Sequence, residues 1–150
     1  MKKILFVLAI IYSYYASAQL NFTSYTNFNE VTCLLESGDN IWVGSTGGVS
    51  LRNKSNGSLV ATYTTNEGLT NNYVKAITSD ILGNKWVLTN FGISKYENGK
   101  WIQYNHKTTT VPSNIWDHIN AMAFDLHGVL WLPTNGYGIY SFDGNSWKQH

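Results

Sequence analysis

The sequence is poor in the residues on which several classes of protein depend. Of its 150 residues one is cysteine, two are proline and 13% are charged. The single cysteine, Cys33, excludes an intramolecular disulfide, and its place in the apolar segment 31–35 predicts a small buried core residue. Ten basic residues against nine acidic ones leave no excess of positive charge to bind phosphates. We therefore expect no nucleic-acid partner.

Long apolar runs are absent as well, except at the amino terminus. Two lysines precede an apolar stretch at residues 4–11, and the small-residue segment Ala16-Ser17-Ala18 follows it. This order predicts a signal peptide at residues 1–18. The stretch is shorter than the roughly 20 apolar residues that a membrane-spanning helix needs. We expect an exported mature chain, residues 19–150, in the periplasm or outside the cell, with no membrane span after cleavage.

Aromatic residues and glycines, by contrast, are plentiful, and they recur at a fixed period. Three tryptophans lie 44 and 45 residues apart, and each follows an acidic residue by six positions. The pairs are Glu36 and Trp42, Asp80 and Trp86, and Asp125 and Trp131. Glycine turns flank each tryptophan segment. A period of this length is typical of β-propeller blades.

Each repeat is predicted to form four short antiparallel strands, so the expected fold is all-β with three blades. In the second repeat the strands are expected at about residues 73–78, 85–89, 93–96 and 101–104. The repeats cover approximately residues 29–63, 71–104 and 116–150. Their repetition makes the tryptophans and the acids structural: the indoles fill the wedge between neighbouring blades, and the carboxylates bind backbone amides in turns.

The ends of the repeats indicate an incomplete propeller. Trp101 and Tyr104 close the second repeat three positions apart, and Phe22 and Tyr25 repeat this spacing before the first blade. This predicts a leading outer strand at residues 20–26 that has no blade of its own. Since propellers close with typically four to eight blades, we expect the missing blades to come from a longer chain or from a second copy.

One departure from the pattern concerns proline. Pro133 stands where the other tryptophan strands have Gly44 and Leu88. Because proline removes a donor from the ladder, we predict a bulge or a local break in the third blade.

The sequence motifs within the repeats are more specific than the repeat period. The second repeat contains Asn-Asn-Tyr-Val-Lys-Ala-Ile from residue 71, Asp80-x-x-Gly83, Lys-Trp-Val from residue 85 and Gly-Ile-Ser-Lys-Tyr from residue 92. This series of motifs resembles the two-component regulator propeller repeat. Members of that family form the exported sensor regions of hybrid histidine kinases, or are related secreted propellers. The resemblance implies a non-catalytic sensor segment, part of a longer protein, that binds an oligosaccharide or another small ligand.

Two alternatives stay open. A secreted adhesion or scaffold propeller would bind protein partners. A weaker resemblance, to streptogramin lyases, would imply a propeller enzyme in which a histidine and carboxylates act with a metal. The sequence has no nucleophile elbow, phosphate loop or zinc motif. We therefore expect no catalytic residue, no cofactor and no metal.

The candidate ligand residues lie in the loops that follow the second and fourth strands of each blade. In an up-and-down blade these loops share one face, which we call the loop face; the Asp-x-x-Gly and Asn-Gly turns form the opposite turn face. Long loops on a rigid scaffold commonly carry binding sites. Aromatic rings here can stack on sugars, and amides can bind hydroxyls. The candidates are Asn90, Phe91, Trp116, His118, Asn135 and Tyr137.

Overall fold

The structure, a computed structural model, describes residues 28–150 and folds them into twelve short strands and one 3-10 turn. The predicted signal peptide and the leading strand at residues 20–26 lie outside the described residues. Within residues 28–150, no helix has the length and apolar character that crossing a membrane requires.

The strands form three four-stranded antiparallel sheets, each connected in sequence order. Blade 1 contains β1 (Val31–Ser37), β2 (Asn40–Ser45), β3 (Gly48–Asn53) and β4 (Leu59–Tyr63). Blade 2 contains β5 (Val74–Ser79), β6 (Lys85–Thr89), β7 (Gly92–Glu97) and β8 (Lys100–Tyr104). Blade 3 contains β9 (Ala123–Phe124), β10 (Leu130–Pro133), β11 (Ile139–Phe142) and β12 (Trp147–Gln149). The predicted all-β fold with three blades is confirmed.

An acidic residue holds the tryptophan strand in two of the blades. Asp80 accepts hydrogen bonds from the backbone N–H groups of Leu82 and Asn84 at 3.0 and 2.9 Å, and its other oxygen accepts from Trp86 Nε1 at 3.0 Å. Asp125 holds its own turn and indole in the same way, with 2.9 Å to the indole nitrogen. One carboxylate thus closes the turn and orients the ring.

The first blade departs from this arrangement. Glu36 forms an ion pair with Lys54 instead of holding Trp42. The expectation that all three acids serve as equivalent turn residues is therefore wrong for Glu36. The physical reason is the turn itself: β1 and β2 are joined by a tight two-residue turn, Gly38-Asp39, which leaves no looped-out amides for a carboxylate to bind.

Two of the tryptophans, Trp42 and Trp86, fill the space between blades, as predicted. Each of the three tryptophans contacts an aromatic residue at the end of its own blade, at centroid distances of 5.5, 5.3 and 5.2 Å, stacked in the first two pairs and tilted in the third. These pairs are Trp42 with Tyr63, Trp86 with Tyr104, and Trp131 with His150. The next blade then covers the ring: Tyr96 and Trp101 cover Trp42, and Phe124 and Phe142 cover Trp86. Trp131 stays partly exposed.

Two hydrophobic clusters lie at the two blade–blade contacts. The first surrounds Leu69 and Val74, and Cys33 packs half-buried against it. Cys33 is therefore a partly covered edge of the core and not the buried residue predicted, and its partial burial raises the pKa of its thiol. The second cluster includes residues of the connection between blades 2 and 3, among them Ile115 and Trp116. This connection is therefore part of the core.

The third blade has the local break that the proline predicts. β9 is two residues long, and its pairing with β10 resumes only at an isolated bridge between Ile119 and Thr134. Thr134 N–H donates to Gly138 on the β11 side, so by alternation Pro133 faces β9, where its missing donor falls at the break. The first strands of the other blades are bulged at the same level although they face Gly44 and Leu88, so the interruption is common to the repeats and Pro133 occupies a position where no ladder donor is needed.

Candidate functional site

The loop face is built on rigid turns. At the turn between the second and third strands of each blade, a hydroxyl donates to a backbone carbonyl on the far side of the turn, at 2.9, 3.0 and 2.6 Å. The donors are Ser45, Thr89 and Thr134. The turns that carry Asn90, Phe91 and Tyr137 are therefore fixed by their own residues. These hydroxyls recur at spacings of 44 and 45 residues, so their spacing in the sequence identifies the turns that carry the loop-face residues.

An inner cavity of about 550 Å³ opens on the loop face beside the first strands of blades 1 and 2. The first strands of the blades lie nearest to one another, so this cavity is close to the axis of the blades. One aromatic ring, amides, a hydroxyl and two opposite charges line it. These residues are Thr32, Tyr73, Lys75, Asn90, Asp117 and Asn120.

Lys75 ties the inner cavity together across two blades. Its Nζ donates to the carbonyl of Asp117 at 2.8 Å and lies 3.6 Å from an oxygen of the Asp117 carboxylate. Its side chain is only 10% exposed. Burial lowers the pKa of Lys75, and the charge of Asp117 opposes that shift. The ammonium is thus committed to holding the 3-10 turn Trp116–His118 against β5.

An outer cavity of about 500 Å³ lies farther from the axis, between blades 2 and 3. Phe91, 61% exposed, stands at its edge, and Trp116, 1% exposed, belongs to its wall. Gln103, from β8, donates to the carbonyls of Gly68 and Leu69 at 3.1 and 3.3 Å and so fixes another part of the wall. His106 and Lys107 complete the polar side.

The remaining candidates form a third group, apart from both cavities. The rings of His118 and Tyr137 meet edge to face at 4.9 Å, and the N–H of Asn135 donates to the carbonyl of His118 at 2.9 Å. The predicted residues therefore share the loop face but fall into three places. Asn90 lines the inner cavity, and Phe91 and Trp116 line the outer one.

The structure adds residues that the sequence did not single out. Tyr73, 42% exposed, presents its ring to the inner cavity, and Lys75, Asp117 and Asn120 lie around it. Trp116, by contrast, packs in the core, so its ring is not part of an exposed aromatic surface. The residues that line the inner cavity differ from the other candidates in their distance from the axis of the blades. The repeat pattern gives this distance only when the order of the strands in each sheet is known.

Several solved structures have a similar arrangement of strands. The chain is similar to the extracellular domain of the putative hybrid two component system BT3049 from B. thetaiotaomicron, with a TM-score of 0.68 and 23% identity over 85% of this chain and 18% of that chain. The extracellular domain of the putative hybrid two component system BT4673 from the same organism has a TM-score of 0.66 and 23% identity, over 86% of this chain and 18% of that chain. The shared property is the propeller-blade fold.

A third similar structure is PorZ, a bacterial surface component of the type-IX secretion system of Porphyromonas gingivalis. Its TM-score is 0.57 at 10% identity, over 79% of this chain and 16% of that chain. This chain thus spans less than a fifth of the length of these three structures. No protein-family model and no curated protein matches it significantly.

Proposed function

We propose that this chain is a non-catalytic, ligand-binding part of an exported sensor and that its loop face binds an oligosaccharide. The inner cavity carries the proposal, because it combines an exposed aromatic ring with amides and a fixed charge pair. The likeness to extracellular domains of two-component systems supports an exported sensor. The small share of those structures that the chain spans supports a larger propeller to which these blades contribute.

The inner cavity suits a polyhydroxyl ligand for physical reasons. The ring of Tyr73 offers an apolar face on which the C–H side of a sugar can lie. Asn90 and Asn120 offer both donors and acceptors to hydroxyl groups, which need both. Lys75 and Asp117 are already paired with each other and with the backbone, so they favour binding over proton transfer.

The test is a titration of the purified chain with a broad panel of neutral and acidic oligosaccharides. We expect at least one member to raise the melting temperature, since a ligand that binds only the folded state stabilises it. Tyr73→Ala should weaken the binding of that member about tenfold or more by calorimetry. Leu126→Ala on the turn face, a residue that is 97% exposed, is the matched control. A panel without any shift contradicts the proposal.

A second candidate is a secreted scaffold propeller that binds protein partners. The similarity to PorZ, described as a bacterial surface component, favours it. The coding sequence that follows this chain separates the two candidates. A membrane-spanning helix and a kinase would support the sensor, whereas a sorting domain would support the surface protein.

A further inference from the structure

We propose that the outer cavity is a second subsite and that it receives an anionic group of the ligand, a carboxylate such as that of a uronic acid. This inference rests on the proposed binding of an oligosaccharide at the loop face. It assigns the outer cavity a chemistry that the inner cavity does not have.

The two cavities share their dividing wall. Asn90 and Phe91 are consecutive residues of one turn, and the first lines the inner cavity while the second lines the outer one. Trp116 and Asp117 are consecutive in the 3-10 turn and divide in the same way, with Asp117 on the inner side. A ligand of more than one ring that crosses this wall would contact both cavities.

The outer cavity holds donors that nothing in the described structure uses. Within residues 28–150, neither the ammonium of Lys107 nor the imidazole of His106 has a hydrogen-bond or ion-pair partner. The indole Nε1 of Trp116 is buried and has no partner in that part of the chain either. That N–H lies in the core, so the donors open to a ligand in the outer cavity are those of the exposed Lys107 and His106.

The charges distinguish the two cavities. No carboxylate lines the outer cavity within the described residues, and Lys107 gives it a positive charge. In the inner cavity Asp117 is present, and Lys75 already serves the carbonyl of Asp117. An anionic group therefore meets an unused cation in the outer cavity and a carboxylate in the inner one. Charge-assisted hydrogen bonds are the stronger kind, so the anion belongs in the outer cavity.

The experiment compares sodium glucuronate with glucose, which differ at one carboxylate, by ligand-observed NMR titration of the full chain. Wild type should bind glucuronate at least about tenfold more tightly than glucose. Lys107→Gln should remove that preference. Lys100→Gln, a change at an exposed lysine of the turn face, should keep it.

Two further variants separate a binding role from a structural one. His106→Leu removes the second unused donor of the outer cavity, so it should weaken glucuronate binding while leaving the melting temperature unchanged, because His106 is exposed. Tyr73→Ala, in the inner cavity, should leave glucuronate binding intact. Equal binding of glucose and glucuronate, an unaffected Lys107→Gln or no glucuronate binding at all would overturn the anionic subsite. The oligosaccharide proposal would stand if Tyr73-dependent binding of another panel member persisted.

Discussion

At the scale of single residues, one carboxylate determines how the tryptophan is held in two of the three repeats. Burial alone would raise the pKa of Asp80, but hydrogen bonds from Trp86, Asn84 and Leu82 outweigh it, so the pKa of Asp80 is lowered from 3.8. Asp125 has a lowered pKa as well, chiefly because of its bond from Trp131. The ionised form is therefore the one that the folded blade prefers.

This preference predicts a pH-dependent cost for Asp80→Asn. A depressed folded-state pKa contributes stability above the unfolded value of 3.8 and loses it as the pH falls through the folded value. At pH 7 we expect the variant to be less stable by about 1.5–3 kcal/mol, the range for bonds to charged groups. In urea unfolding the difference should shrink below pH 3.8. The control, Asp39→Asn, should cost little at any pH, and a constant gap for Asp80→Asn would contradict the assignment.

Gly92, at the start of β7, is a second position where the fold requires a particular residue. Gly92 has a φ of +145°, and a Cβ built on it would overlap the carbonyl oxygen of Tyr104. Gly83 has a φ of +83° with nothing within 4 Å of its Cβ position. Gly83→Ala should therefore cost about 1 kcal/mol, and Gly92→Ala clearly more. Denaturant unfolding measures both, and equal losses would mean that the overlap is relieved at no cost.

The role of a residue could be predicted only where residues at the same position of several repeats share that role. The spacing of Asp80 and Asp125 before their tryptophans predicts a structural role correctly, and the structure supplies the partner. Glu36 has the same spacing but lies beside a tighter turn, and it forms an ion pair with Lys54, in the turn that follows β3. Spacing reports position along a chain, whereas pairing depends on which amides a turn leaves free.

At the scale of elements, the strands follow from the sequence and the connection between blades 2 and 3 does not. The predicted second-blade strands agree with β5–β8 within one or two residues, because alternation and Asn-Gly turns are local signals. The 3-10 turn Trp116–His118 was not predicted. It is held by burial of Trp116 and by Lys75 from another blade, and such long-range contacts leave no periodic trace.

Lys75 supplies a test of that connection. Lys75→Met keeps the length of the side chain but removes the donor to the carbonyls of Trp116 and Asp117. We expect faster amide exchange across residues 115–119, where the local free energy of opening falls. Exchange in β2 and β3 should not change. Lys100→Met is the control, and identical exchange in Lys75→Met would show that the turn holds itself.

The tryptophan strands provide a second test at this scale. Trp86 is 4% exposed between two blades, whereas Trp131 is partly exposed and contacts His150 of its own blade. Trp86→Ala should cost about 3–5 kcal/mol, the range for large buried residues. Trp131→Ala should cost less, about 2 kcal/mol, because its ring stays partly exposed and no following blade covers it within residues 28–150. Thermal unfolding of both variants checks the order, and a larger loss at Trp131 would contradict the packing.

At the scale of the whole molecule, the sequence could predict on which face the candidate residues lie but not which of them share a cavity. The order of strands places Asn90, Phe91 and Tyr137 on one face, as expected. Which residues share a cavity depends on how blades stand around the axis, and this places Tyr73 beside Asn120. The connection between blades decides the rest, since it carries Trp116 and Asp117 to opposite sides of one wall.

Chemical-shift mapping tests the proposed binding of an oligosaccharide at the loop face. The full chain, labelled with nitrogen-15, would be titrated with the panel oligosaccharide that raises the melting temperature most. We predict that the amide signals of Tyr73, Asn90, Phe91 and Asn120 move together with a single binding constant, while those of the turn face stay in place. Shifts confined to the turn face, at Gly83 and Gly128 for example, would contradict the proposal.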